Sequence, residues 1–247
     1  MITLALDTSH PVGSVALATN GVVLGEARFE APSSHLVELS MSVERLLASN
    51  HLTIRNVDRV AVVLGPGSFT GVRIGLAFAK GLAAAGKELV AAGSLHLIAW
   101  PLVEQYGGFV CAMIDAKRGE VYAGGYERAQ TKRYDDLPTM AEVLPARAEP
   151  PHEFLNAVAG TGRKPGAFAG TGALLHADAI RERFPSAEIV SEAHAFPSTS
   201  YLAKIGHLLP VFTPDAIRAL EPVYLRASGA ERKRLRAHAK EVERDGR

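Results

Sequence analysis

Apolar residues along this chain fall into short runs whose period switches between that of a strand and that of a helix. "ITLALDTS", residues 2–9, is an apolar run closed by an acid and two hydroxyls, the pattern of a buried strand. "GSVALAT" and "GVVLGEARFE" follow, separated by Asn20-Gly21. Asn-Gly suits a two-residue type I′ hairpin because both central residues must take positive φ, so the chain is predicted to open as a three-stranded antiparallel meander. Leu36, Leu39, Val43, Leu46 and Leu47 then recur at helical spacing, with Ser33 or Ser34 placed to cap the first turn. That predicts a helix over 34–48. "RVAVVLG" is a further buried strand and 70–85 a second helix, giving the order β-β-β-α-β-α.

A similar order restarts near Phe109. "FVCAMIDA" and "EVYAGGYER" are strands flanking a tight turn at Lys117-Arg118-Gly119. A proline-rich stretch through Pro145 and Pro150-Pro151 is expected to be irregular, "GAFAGTGA" to be a short strand and loop, and 178–184 to be helical. Another helix is expected over 198–209, with "LEPVYLR" closing the ordered part. Two half-similar α/β lobes, each opening with a meander, predict a duplicated ribonuclease-H-like architecture rather than a doubly wound Rossmann sheet. The expected division is an N-terminal lobe over 1–105, completed by the helix near 198–209, and a C-terminal lobe over 106–226. The charge-rich tail over 227–247 is expected to be solvated or disordered. A sharper reading makes its "RKRLR" an RNA-contacting arm.

Composition narrows the class. At 247 residues the chain has room for one large domain or two small ones and needs no disulfide or metal staple. Its single cysteine, Cys111, lies in an apolar run without the polar neighbours that would activate a thiol. A formal charge of +1 creates no overall field toward nucleic acid or membrane. No uncharged apolar run approaches the ~20 residues of a membrane span. The expectation is a cytoplasmic protein with no membrane partner.

"LGPGSFTGVRIG", residues 64–75, invites a phosphate-binding reading and fails it position by position. No lysine stands where a Walker loop needs one, and Gly65, Gly67 and Gly71 give G-x-G-x-x-x-G rather than the Rossmann G-x-G-x-x-G. Pro66 stands where a nucleophile elbow around Ser68 needs glycine. In the helix that follows, Gly71, Gly75, Ala79 and Ala83 recur every fourth residue, a stripe that lets another helix approach closely. Val72, Ile74, Leu76, Phe78 and Leu82 make it apolar on almost every side, interrupted by Arg73 and Lys80. The preceding helix carries a second apolar set at Val37, Met41 and Ala48. Either the two helices cover each other or they present a partner surface.

Metal and proton chemistry find little support. None of the nine histidines has a second histidine three or four residues away, which also counts against a metallopeptidase. Asp7 and Asp115 each end a strand, where an acid serves as a turn residue or holds hydrated magnesium. Asp7, Thr8 and Ser9 form a candidate degenerate nucleotide loop, and an ATPase or small-molecule kinase using them is the alternative reading.

Four stretches in order, "LALDTS", "LGPGSFTGVRIGLAFAKGL", "IDAKRGEVYAGGY" and "EPVYLR", resemble the TsaB (YeaZ) family of bacterial tRNA threonylcarbamoyladenosine biosynthesis proteins. The resemblance runs from Ile2 to about Arg226. It implies an actin/Hsp70/sugar-kinase (ASKHA) fold of two ribonuclease-H-like lobes with mixed sheets flanked by helices. It implies a role in placing threonylcarbamoyl on N6 of adenosine 37 of tRNA (t6A), with no catalytic residue, metal or cofactor of its own. The implied partners are a TsaD-like transferase subunit bound through the two N-lobe helices, a TsaE-like ATPase, and tRNA through the complex. Separately, exposed helices made for a homologous partner can pair with their own copy, so a homodimer is a further candidate assembly. The expected interface is Leu36, Leu39, Ser40, Val43 and Leu47 on the first helix. On the second it is Val72, Arg73, Gly75, Leu76, Ala79, Lys80 and Ala83.

Overall fold

The computed structural model describes residues 1–30, 35–106, 108–129 and 140–226. The expected tail over 227–247 and the cap at Ser33 or Ser34 lie outside them. The meander forms as β1 (Ile2–Asp7), β2 (Val12–Thr19) and β3 (Val22–Glu30). Its hairpin turns at Asn20 and Gly21, whose φ values of 46° and 82° are those a type I′ turn requires. Next come α1 (His35–Ser49), β4 (Arg59–Val63), α2 (Phe69–Ala84) and β5 (Glu88–Ala92). These strands make one mixed sheet in the order β3-β2-β1-β4-β5, antiparallel across the meander and parallel from β1 to β5.

After α3 (Ser94–Tyr106), the second lobe is built from β6 (Val110–Asp115), β7 (Val121–Arg128) and β8 (Met140–Glu149). It continues with α4 (Pro151–Gly160), β9 (Ala167–Ala169), α5 (Thr171–Leu175), α6 (Ala177–Arg183) and β10 (Glu188–Ile189). Its sheet, β8-β7-β6-β9-β10, repeats the first strand for strand and direction for direction. The duplicated ribonuclease-H-like lobes of the ASKHA type are therefore present. Two helices follow, α7 (Thr199–Ile205) and α8 (Pro214–Ala219).

Five layers result. Leu4 and Leu6 of β1 face α1 and α2, joining Leu39, Val43, Leu47, Leu76 and Ala79 in one core. The alternate residue, Ala5, faces α7 with Ala16, Ala18 and Ala61. Such small side chains let α7 approach closely, and an added Cβ at Gly206 would come 2.7 Å from Thr3. Arg59, 6% exposed, reinforces this layer by bonding Glu88 of β5 and the Gly206 carbonyl. Between the sheets, α3 sends Leu97 into the α7 core, while Leu95, Ile98, Ala99 and Leu102 pack on the second sheet. α4, α5 and α6 cover the far side through Phe154, Leu155, Ala173 and Ile180.

Several expectations need correction. The proline-rich stretch is not irregular: Pro145 lies within β8, an edge strand, where the missing amide leaves no ladder bond broken, and Pro151 opens α4. The "GTG" segment enters α5 rather than a loop, and the helix expected over 198–209 ends at Ile205. β5, α3 and α8 are additional elements. α3 shows no one-sided periodicity because sheets press on it from both sides, and Pro101 in its interior reads as a break.

Candidate functional site

Ser68 caps α2 by accepting a bond from the Gly71 amide at 3.2 Å, so the glycine-rich stretch is a strand-to-helix turn. Its glycines face inward, onto the end of β1. The Ser68 amide donates to the Ser9 carbonyl at 2.7 Å, and the Thr8 hydroxyl donates to the Gly71 carbonyl at 2.7 Å. An added Cβ would overlap the Ser9 carbonyl at Gly67, the Thr8 carbonyl at Gly71 and the Thr8 hydroxyl at Gly75. Expected as a place for a partner helix, the small-residue stripe meets the protein's own Thr8 at Gly71 and Gly75, and Ala79 is buried in the core between α1 and α2. That is a correction for Gly75 and Ala79, both buried.

The candidate nucleotide loop lies directly beneath. Asp7, Thr8 and Ser9 are 1%, 2% and 1% exposed. The Asp7 carboxylate accepts from the Ser9 amide at 2.8 Å, and Ser9 Oγ lies 2.8 Å from His10 Nδ1. Burial pushes the His10 pKa down against the opposing pull of Asp7, so the ring stays neutral near pH 7. Asp7, Ser9 and His10 have the composition of a catalytic triad without its geometry. Carboxylate and hydroxyl both approach the same ring nitrogen, Nδ1, at 4.0 and 2.8 Å, whereas a proton relay needs them on opposite nitrogens. The backbone of Gly67 and Gly71 packs directly on the Ser9 and Thr8 carbonyls of this loop, and all three loop residues are buried.

The helical face also divides differently from its expectation. Leu39 of α1 and Val72 and Leu76 of α2 are at most 5% exposed and turned inward, and Val43 and Leu47, nearly as buried, reach the surface only at the floor of a groove. The reason is ordinary amphipathicity: the denser apolar stripe of each helix covers its own sheet. Outward stand Leu36 (50% exposed), Met41 (38%) and Phe69 (41%), with Val37 also exposed and Ser40 and Arg73 beside them. Lys80 and Ala83 are half-buried, and the Lys80 ammonium donates to the Arg218 carbonyl at 3.1 Å. Arg73 donates to the Tyr224 hydroxyl at 2.7 Å and stacks 3.7 Å over the Phe69 ring, fastening the last described segment onto α2. Beside this face a groove of about 470 Å³ runs between α1 and α2, floored by Val43, Leu47, Phe78 and Leu82 and closed by Leu52 and Ile54. Phe69 and Tyr224 were missed as surface residues because nothing in their spacing tells an exposed aromatic from a buried one.

In the second lobe Asp115 is a turn residue. It accepts bonds from the Lys117 amide and ammonium at 2.8 and 2.7 Å, stabilising the left-handed φ values at Lys117, Arg118 and Gly119. Burial raises its pKa, but the Lys117 bonds outweigh that and hold it below the ordinary carboxylate value. Among the described residues no three histidine, cysteine or acidic side chains gather as a metal site. No helix among them is long and apolar enough to cross a membrane. Cys111 is buried, and burial raises its thiol pKa well above the usual value.

Comparison with known proteins gives consistent relatives. A family model described as TsaD, tRNA N6-adenosine threonylcarbamoyltransferase, matches residues 29–233. The tRNA threonylcarbamoyladenosine biosynthesis protein TsaB of Escherichia coli (strain K12) is 35% identical over 161 residues, covering 64% of this chain and 67% of the relative. The protein of the same description from Bacillus subtilis (strain 168) is 28% identical over 235 residues, covering 94% and 97%. The solved structure of YeaZ from Pseudomonas aeruginosa matches with a TM-score of 0.66 at 28% identity, covering 91% of this chain and 99% of that one.

Proposed function

This chain belongs to the TsaB (YeaZ) family, and from that premise we propose that it is a non-catalytic subunit in the synthesis of tRNA N6-threonylcarbamoyladenosine. Its task is to bind and activate a TsaD-like transferase through the outward face of α1 and α2. The observation that carries this reading is the pair of apolar residues Leu36 and Met41, held 50% and 38% exposed on a helix whose other apolar stripe is already buried. Apolar area left in water beside an apolar groove is stabilised by a partner that covers it. Non-catalysis is supported by the burial of Asp7, Thr8 and Ser9, on which the backbone of Gly67 and Gly71 packs directly. The protein then requires no cofactor of its own. A TsaE-like ATPase and tRNA meet it within the complex, and the same apolar face is open to a second copy when the transferase is absent.

Co-purification of the TsaD-like subunit with wild type and with Leu36→Glu/Met41→Glu, coupled to an assay of t6A formation, tests the proposal. The double variant, folded as judged by circular dichroism, is expected to bind at least ten-fold more weakly and to support correspondingly less modification. Binding and modification at wild-type levels would overturn it.

A further inference from the structure

A second cavity, remote from the α1–α2 face, is not absorbed by the reading above. It lies between β3, α3 and the segment entering α7, and holds about 290 Å³, near the lower end of small-molecule sites at roughly 300 Å³. Leu97, Ile98 and Pro101 of α3 form one wall and Phe196 another, so the interior is apolar. Its charged and imidazole side chains, Arg28, His194 and Lys204, are basic, and Tyr201, whose hydroxyl is engaged by Glu104, also lines it. The hydroxyls of Ser198 and Ser200 complete the lining.

The neighbouring acids are already engaged. Glu26 accepts from the Thr199 hydroxyl at 3.1 Å and the Ser200 hydroxyl at 2.6 Å, with Arg28 Nε at 3.6 Å. Glu104 accepts from the Tyr201 hydroxyl at 2.9 Å. Among the described residues no carboxylate lies within ion-pairing distance of Lys204, whose ammonium sits 5.7 Å from the Tyr201 ring centroid. An apolar chamber under an incompletely neutralised cationic rim selects a ligand with two parts: an apolar body for the walls and an anionic head for Lys204 and Arg28.

We propose that this cavity is a binding site for a small organic anion, a compact apolar or aromatic body carrying one phosphate or carboxylate. The chain contains its own reporter. Trp100 is the single tryptophan, and its ring lies 5.8 Å from that of Tyr201, which lines the cavity. The probes are phenyl phosphate and phenylacetate, which carry both parts, and phenol and inorganic phosphate, which carry one each. With the full chain, phenyl phosphate or phenylacetate is expected to change Trp100 fluorescence saturably, with phenol and inorganic phosphate at least ten-fold weaker. Lys204→Gln, at an exposed side chain, should weaken that binding at least five-fold, and Arg28→Gln should do the same. No saturable change with either two-part probe would overturn the proposal, as would equal binding by phenol or by Lys204→Gln. The result is independent of the α1–α2 interface, since Leu36→Glu/Met41→Glu should leave the titration unchanged.

Discussion

The two lobes share one strand order and one way of closing it, yet present different outer surfaces. In each, the strand parallel to the lobe's first strand runs into a glycine turn that lies on that first strand's end. In the first lobe Gly67 of the turn rests on Ser9 and Gly71, in the first turn of α2, on Thr8; in the second, Gly170, with a φ of 106°, rests on the Met113 carbonyl. Outside, α4 buries Phe154, Leu155 and Val158 and turns His152, Glu153 and Asn156 to solvent, while α6 exposes Asp178, Arg181 and Glu182. α5 leaves one apolar side chain, Leu175, in water, whereas α1 leaves the set Leu36, Val37 and Met41. The fold alone therefore does not make a partner surface. A second apolar set on a helix that has already covered its sheet does.

The largest effects should come where that comparison assigns residues to the interior. Leu39→Ala, at a fully buried position once counted with the partner face, should cost about 3 kcal/mol in urea unfolding, as for a core leucine. A loss below about 0.5 kcal/mol would return Leu39 to the interface. Gly71→Ala and Gly170→Ala should each cost about 2–3 kcal/mol by forcing Cβ into a carbonyl, and a large loss in one lobe only would break the parallel. Leu36→Glu/Met41→Glu should sit below these in stability, within about 0.5 kcal/mol of wild type, while losing the partner. Asn156→Glu on α4, the matched control, should change neither measurement.

Acidification supplies a smaller test. Burial holds the pKa of His10 and His96 below the ordinary histidine value of about 6.5, against the opposing pull of Asp7 on His10 and of Glu142 on His96. The unfolded chain therefore binds protons first as pH falls through about 6.5 and below, and stability drops there. Urea unfolding at pH 7.5 and 5.5 should show a shallower drop in His10→Gln, and an unchanged drop would remove His10 as a cause. Smallest of all, Lys117→Met should cost at most about 1 kcal/mol, since Lys117 is 81% exposed. Its NMR titration should show the Asp115 pKa moving up.

Much of the first lobe was legible because its signals are local. Asn20-Gly21 names its own turn, and the leucines of α1 repeat at helical spacing. β8 and α3 were hidden for opposite reasons. Pro145 reads as a strand breaker unless the strand is known to be an edge, and α3 has two buried sides and so no polar stripe to set its period. Among candidate site residues, the closed character of Asp7-Thr8-Ser9 was invisible, because what closes it lies about sixty positions away in Gly67 and Gly71.

The stretch "LGPGSFTGVRIG" shows where the division falls. Its residue types by themselves excluded a Walker lysine, a dinucleotide fingerprint and a nucleophile elbow, since each chemistry demands a particular side chain at a particular spacing. They also determined that something must approach the helix closely, because a stripe of glycine and alanine has no other packing use. Only the tertiary structure decided what approaches. Thr8, brought there by the parallel pairing of β1 with β4, meets Gly71 and Gly75 from inside, Ala79 packs in the core, and Leu36 and Met41 face outward. Periodicity tells that a face is apolar. Which of two apolar faces is buried depends on where the sheet lies.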